Sequence, residues 1–150
     1  MDAEAEHKLD EFVAKFTPEM QHRIRATRQR LTARLPDAVQ MVYDNYNFLV
    51  IGYGPTQRAS DAIVSLAAHR AGINLCFLQR APELPDPTSL LRGSGSTVRN
   101  VALNEPRDLD HPNVVALLAA QLALARVPIE VSEGPLLLIK SVSAKQRSRR

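Results

Sequence analysis

Apolar positions change their period several times along the chain, and each change marks an element. Leu9, Phe12, Val13 and Phe16 recur at helical spacing, which predicts a short amphipathic helix over 9–16. Thr17 then offers a side-chain cap and Pro18 suits a first helical position, so a second helix is expected over 18–35. Met20, Ile24, Leu31 and Leu35 form its apolar stripe, flanked by Arg23, Arg30 and Arg34 on one side and Arg25 and Arg28 on the other. Pro36 restricts Leu35 and ends that helix, and 38–43 reads as one more helical turn. Apolar runs over 48–53, 62–68 and 73–78 follow, the last two flanking a hairpin turn at Arg70-Ala71-Gly72. A proline-rich loop covers 81–87, and 89–92 reads as a short helical turn. A fourth strand is expected over 97–103, and a polar connection over 104–111. Pro112, with His111 or Asp110 as cap, opens an apolar helix to about Arg126, whose Val114, Val115, Leu117, Leu118, Leu122 and Leu124 cover nearly its whole circumference. Such a helix is deeply buried or makes an oligomer contact, so a homo-oligomer is one expectation. A last strand over 136–142 leads into a basic tail.

This order predicts an α+β fold: an antiparallel sheet of about five strands, with two N-terminal helices and one C-terminal apolar helix packed on it. At 150 residues and 45% hydrophobic content, one domain over 1–142 is expected, with 143–150 a basic, disordered tail. The single cysteine, Cys76, excludes an intramolecular disulfide and favours a reducing compartment. No apolar run approaches the ~20 residues of a membrane span, and the acidic first ten residues lack a signal-peptide core, so a cytoplasmic protein is expected.

Candidate chemistry is sparse. Gly93 and Gly95 free the backbone to present N–H groups to an anion; Ser94, Ser96 and Thr97 add hydroxyls, and Arg99 a bidentate partner. A strand follows this turn where a helix would start, so it is neither a Walker loop nor a dinucleotide fingerprint. A second cluster, Tyr43, Asn45, Tyr46, Tyr53, Arg58, Ser60 and Asp61, flanks the first strands, with Arg58 and Asp61 forming a local ion pair. Together they suggest a pocket for a small molecule or anion, lined by Tyr43, Asn45, Tyr46, Arg58, Gly93, Ser94, Gly95, Ser96 and Arg99.

Other chemistries are weaker. Cys76 sits inside an apolar strand, and Gly-Ser-Gly is not a nucleophile elbow, so no catalytic residue emerges and a binding protein is favoured over an enzyme. His7, His22, His69 and His111 lack ligand spacing; Glu4, Asp10 and Glu11 offer only a weak carboxylate surface; no motif names a metal or another cofactor. Net charge is +3, with basic residues gathered at the C-terminus. Arg23, Arg30, Arg34 and that tail could attract nucleic acid, although aromatics for base stacking make up only 5% of the chain.

The segment Asp86-Pro87-Thr88-Ser89-Leu90-Leu91-Arg92-Gly93-Ser94-Gly95-Ser96-Thr97-Val98-Arg99-Asn100-Val101-Ala102-Leu103, followed by Asp108-Leu109-Asp110, resembles the YdhG-like family, a group carried as a domain of unknown function. Leu9-Asp10-Glu11-Phe12, the arginine-rich second helix and Ile139-Lys140-Ser141-Val142-Ser143-Ala144-Lys145-Gln146 resemble it too, so the likeness runs over almost the whole chain. The resemblance implies a small α+β fold with an antiparallel sheet and a cytoplasmic location. It also implies a frataxin-like role in intracellular iron delivery, the role assigned to at least one member. Many members carry a Tyr-Gly-Met-Pro-like turn after the second helix; Tyr43-Asp44-Asn45-Tyr46-Asn47-Phe48 stands here instead.

Overall fold

The computed structural model describes residues 2–150. Three helices pack on one six-stranded sheet: α1 (Ala3–Val13), α2 (Pro18–Arg34), β1 (Val39–Asp44), β2 (Leu49–Gly54), β3 (Val64–His69), β4 (Gly72–Phe77), β5 (Arg99–Leu103), α3 (Pro112–Leu124) and β6 (Leu136–Val142). The caps at Thr17 and His111 are those the sequence offers, and Asp2 adds one for α1. Asp2 accepts from the Glu4 N–H, Thr17 from Met20 with Pro18 following, and His111 Nδ1 from Asn113. The first helix starts earlier than expected and ends before Phe16, which lies fully buried in the link to α2.

The α+β class is as expected, but the sheet is mixed and has six strands. Its order is β5-β4-β3-β2-β1-β6, with every neighbour antiparallel except β1 and β6. The turn expected over 38–43 is strand β1 instead. Val39, Met41 and Val42 are all buried, so the strand is covered on both faces and loses the alternation that would have revealed it. No helical turn forms over 89–92.

One sheet face carries the main core. Leu49, Ile51, Tyr53, Leu66, Leu75 and Phe77 meet Leu9, Phe12, Ile24 and Leu31 of α1 and α2, with Val114, Leu117 and Leu118 of α3. The opposite face holds a smaller cluster of Val39, Met41 and Ala62, bordered by Tyr43, Leu78, Leu136 and Leu138. The β2–β3 connection runs close against Gly54, where a Cβ would lie 3.0 Å from the Ala62 Cα and 3.1 Å from the Asp61 carbonyl oxygen. Only glycine fits that approach without displacing backbone.

A polar chain threads the main core. The buried Tyr53 Oη lies 3.0 Å from Thr32 Oγ1; Gln40 Nε2 donates to the same oxygen at 3.2 Å; Arg28 Nε donates to Gln40 Oε1 at 3.0 Å. Arg28 also forks onto Glu6 at 2.8 and 3.0 Å, which lowers the Glu6 pKa. Burial pushes the Tyr53 phenol up to about 12.

The tail, expected as a frayed basic end, folds back on the molecule. The Ser143 N–H donates to the Asp44 carbonyl and the Arg147 N–H to the Tyr46 carbonyl. Arg149, 4% exposed, donates to Asp44 Oδ1 at 3.0 Å and to the Asn45 carbonyl at 2.7 Å. The Asp44 carboxylate is fully buried and also accepts from Lys15 Nζ at 2.6 Å. Buried charges persist when paired and hydrogen-bonded, and this latch is such a case.

Candidate functional site

Strand order brings three turns to one end of the sheet: the β3–β4 hairpin, the β1–β2 turn and the returning tail. The hairpin is tight because His69 pairs directly with Gly72, which leaves Arg70 and Ala71 as its two turn residues. Between these turns lies a half-open cleft of about 640 Å³, lined by Asn47, Phe48, His69, Arg70, Ala71, Arg147 and Ser148. The Phe48 and His69 rings meet edge-on at 5.5 Å and 84° and make its aromatic wall. His69 Nδ1 accepts from the Ala71 N–H at 3.3 Å, so the neutral ring carries its proton on Nε2 as a donor. The Arg147 guanidinium lies 5.7 Å from the centroid of the Tyr46 ring.

The charge of this cleft is one-sided. No carboxylate lines it, and among the described residues neither Arg70 nor Arg147 forms a salt bridge. Several other arginines are matched, whereas Arg23, Arg58, Arg92 and Arg99 likewise form no salt bridge among the described residues. Arg30 and Arg34 share Asp110, Arg80 pairs with Glu83, Arg126 with Asp61, and Arg149 with Asp44. Arg34 and Arg30 hold the Asp110 carboxyl below its usual range; Thr56 and Arg126 do the same for Asp61.

The nine residues suggested as one pocket fall in three places. Tyr43, Asn45 and Tyr46 belong to β1 and its turn: Tyr43 is half-buried beside the smaller cluster, Asn45 gives its carbonyl to Arg149, and Tyr46, 42% exposed, backs Arg147. Arg58 is exposed at the opposite end of the sheet, ahead of a short turn over Ala59–Asp61. Arg99 opens the edge strand β5, four strands from β1, and Gly93, Ser94, Gly95 and Ser96 lie in the loop before it. Gly93 does adopt a left-handed conformation, with φ 106°, but Arg99 Nε donates to the Gly95 carbonyl at 3.0 Å and so closes its own loop. None of the nine lines the cleft; Tyr46 reaches it only through Arg147, which its ring backs. Asp61 turns to Thr56 and Arg126 rather than pairing with Arg58.

Of the arginines suggested for nucleic acid, Arg30 and Arg34 are held by Asp110, while Arg23 donates to the Leu103 carbonyl at 3.1 Å. Sequence reasoning missed Phe48, His69, Arg70, Arg147 and Ser148. Arg70 stood in the hairpin signal and Arg147 in the basic tail, but only the sheet order brings them together. Among the described residues, no three of His, Cys, Asp and Glu gather where an ion could sit. Glu11 is engaged by His7 and Lys8, and Asp10 lies 4.0 Å from Arg25. Burial raises the Cys76 thiol pKa, the opposite of what a reactive thiolate needs. Among the described residues no helix is long and apolar enough to cross a membrane. No family model, curated protein or solved structure matches the chain.

Proposed function

We propose that this chain is a non-enzymatic binding module that takes a small organic anion, phosphorylated or carboxylated, in the cleft beside the β3–β4 hairpin. One observation carries the reading: Arg70 and Arg147 face the same cleft without a carboxylate to neutralise them. An anion would supply the missing charge through charge-assisted hydrogen bonds, each contributing about 1.5–3 kcal/mol where solvent is displaced. The His69 Nε2 proton adds a third donor, and the Phe48 ring offers an apolar wall to the ligand's body. This is the binding-module reading expected from the sequence, moved to a different place on the fold.

Kinship with the YdhG-like group belongs to the same proposal, supported by the shared α+β class. The iron-delivery role implied by that kinship has no gathered ligand set to support it among the described residues. The nucleic-acid reading is weakened because Arg30 and Arg34 are already matched by Asp110.

Isothermal titration with fructose monophosphate and with inorganic phosphate tests the proposal. Binding is expected to weaken with salt and to fall about tenfold or more in Arg70→Ala and in Arg147→Ala. Absence of binding by the unaltered protein, or affinity untouched by either substitution, removes the cleft as the site.

A further inference from the structure

A second cleft, of about 300 Å³, adjoins the first and shares His69 and Ala71 with it. Arg23 of α2, Asn74 of β4, Arg92, and Asn104 after β5 line it, with the Gly72 backbone between. No carboxylate is among its lining residues, and among the described residues neither Arg23 nor Arg92 forms a salt bridge. Asp108, four residues beyond Asn104, does not line it and accepts through Oδ2 from the backbone N–H groups of Asn104 and Glu105 at 2.8 and 3.2 Å. Arg23 reaches the Leu103 carbonyl through one terminal nitrogen, while its Nε is buried without a hydrogen-bond partner. A half-buried guanidinium left without a counter-charge is unusual, because such groups are ordinarily matched from within the fold.

Resting on the anion-binding reading above, we infer that the ligand carries two anionic groups and straddles the β3–β4 hairpin. One group sits with Arg70 and Arg147, the other with Arg23 and Arg92, and His69 stands between them. The chemistry is that of a doubly phosphorylated or phosphorylated-and-carboxylated small molecule. The second cleft is the more polar of the two. Two asparagine amides and two guanidiniums offer donors there, whereas the first adds the Phe48 wall. That asymmetry places the ligand's body and its first anionic group on the Phe48 side, with Arg70 and Arg147, and leaves the Arg23 side to the second anionic group alone.

The test is to titrate the full chain with fructose bisphosphate and with fructose monophosphate. The bisphosphate is expected to bind about tenfold tighter, the increment of one further matched charge. Arg92→Gln, on an exposed side chain, and Arg23→Gln are each expected to erase that advantage while leaving monophosphate affinity unchanged. Arg147→Ala weakens both ligands. Equal affinity for the two sugars, or an advantage that survives both glutamine variants, overturns the second subsite while the single-anion cleft stands. Failure of both sugars to bind overturns the anion-binding reading itself. Tighter binding of a short single-stranded oligonucleotide, lost in the same variants, overturns the small-ligand inference and gives the surface to nucleic acid.

Discussion

The two ends of the sheet treat their charged groups in opposite ways. At the end where β2 leaves and β4 exits, the buried polar groups are matched from within, and the exposed Arg58 stands outside that network. Arg126 meets Asp61 at 2.6 Å, Gln121 and Gln79 exchange hydrogen bonds, and Gln79 Nε2 ties the carbonyls of Asp61 and Ala62. At the hairpin end, Arg70 and Arg147 line open space with nothing to balance them. The tail sharpens the contrast. Arg149 is sunk against Asp44, whereas Arg147, two residues earlier, points its charge toward the cleft. Positive charge near a fold says little by itself; positive charge that the fold leaves unanswered marks a surface kept for something else.

The strongest way to break this comparison is to remove the buried carboxylate that holds the tail. Asp44→Ala leaves Arg149 buried without its counter-charge and is expected to cost about 3–5 kcal/mol in urea unfolding. The released tail should carry Arg147 out of the cleft, so anion affinity falls as well. A neutral result would mean that the tail does not hold the hairpin end in place. A second effect belongs to the far end, where Tyr53 lies. Its folded pKa of about 12 stands above the ordinary ~10, so the folded state keeps its proton longer than the unfolded chain does. The stability this provides is complete below pH ~10 and is lost as pH rises toward 12, about 2–3 kcal/mol in all. Tyr53→Phe should flatten that alkaline loss, measured as the urea midpoint against pH. The smallest expected effect is the most telling. Arg70→Ala should change stability by no more than ~0.5 kcal/mol, since the side chain is exposed and makes no salt bridge. A large loss there would place Arg70 among the residues that hold the fold and erase the difference between the two ends.

Local signals in the sequence were read correctly where one element decides the outcome. The Thr17-Pro18 start of α2, the Leu136–Val142 strand and the tight hairpin before Gly72 each depend on residues adjacent in sequence. What escaped depends on distant partners. Strand β1 hides because both its faces are covered, and the parallel pairing of β6 with β1 has no short-range signature. The tail's composition suggests solvent exposure; only the buried Asp44, a hundred residues earlier, explains why Arg149 goes inside. The nine suggested residues scatter over the fold for the same reason. Gly-Ser-Gly and the tyrosines are conspicuous in sequence, whereas Arg70, Arg147 and Phe48 acquire meaning only when three turns meet at one end.

The pairing of Val39 with Leu136 has a consequence for biosynthesis. Until residues 136–142 have left the ribosome, β1 keeps one row of backbone N–H and C=O groups without a neighbour, a template on which another nascent chain can dock. Completion of the sheet therefore waits on the final strand, and any pause in translation before residue 136 lengthens the time during which this protein is open to aggregation.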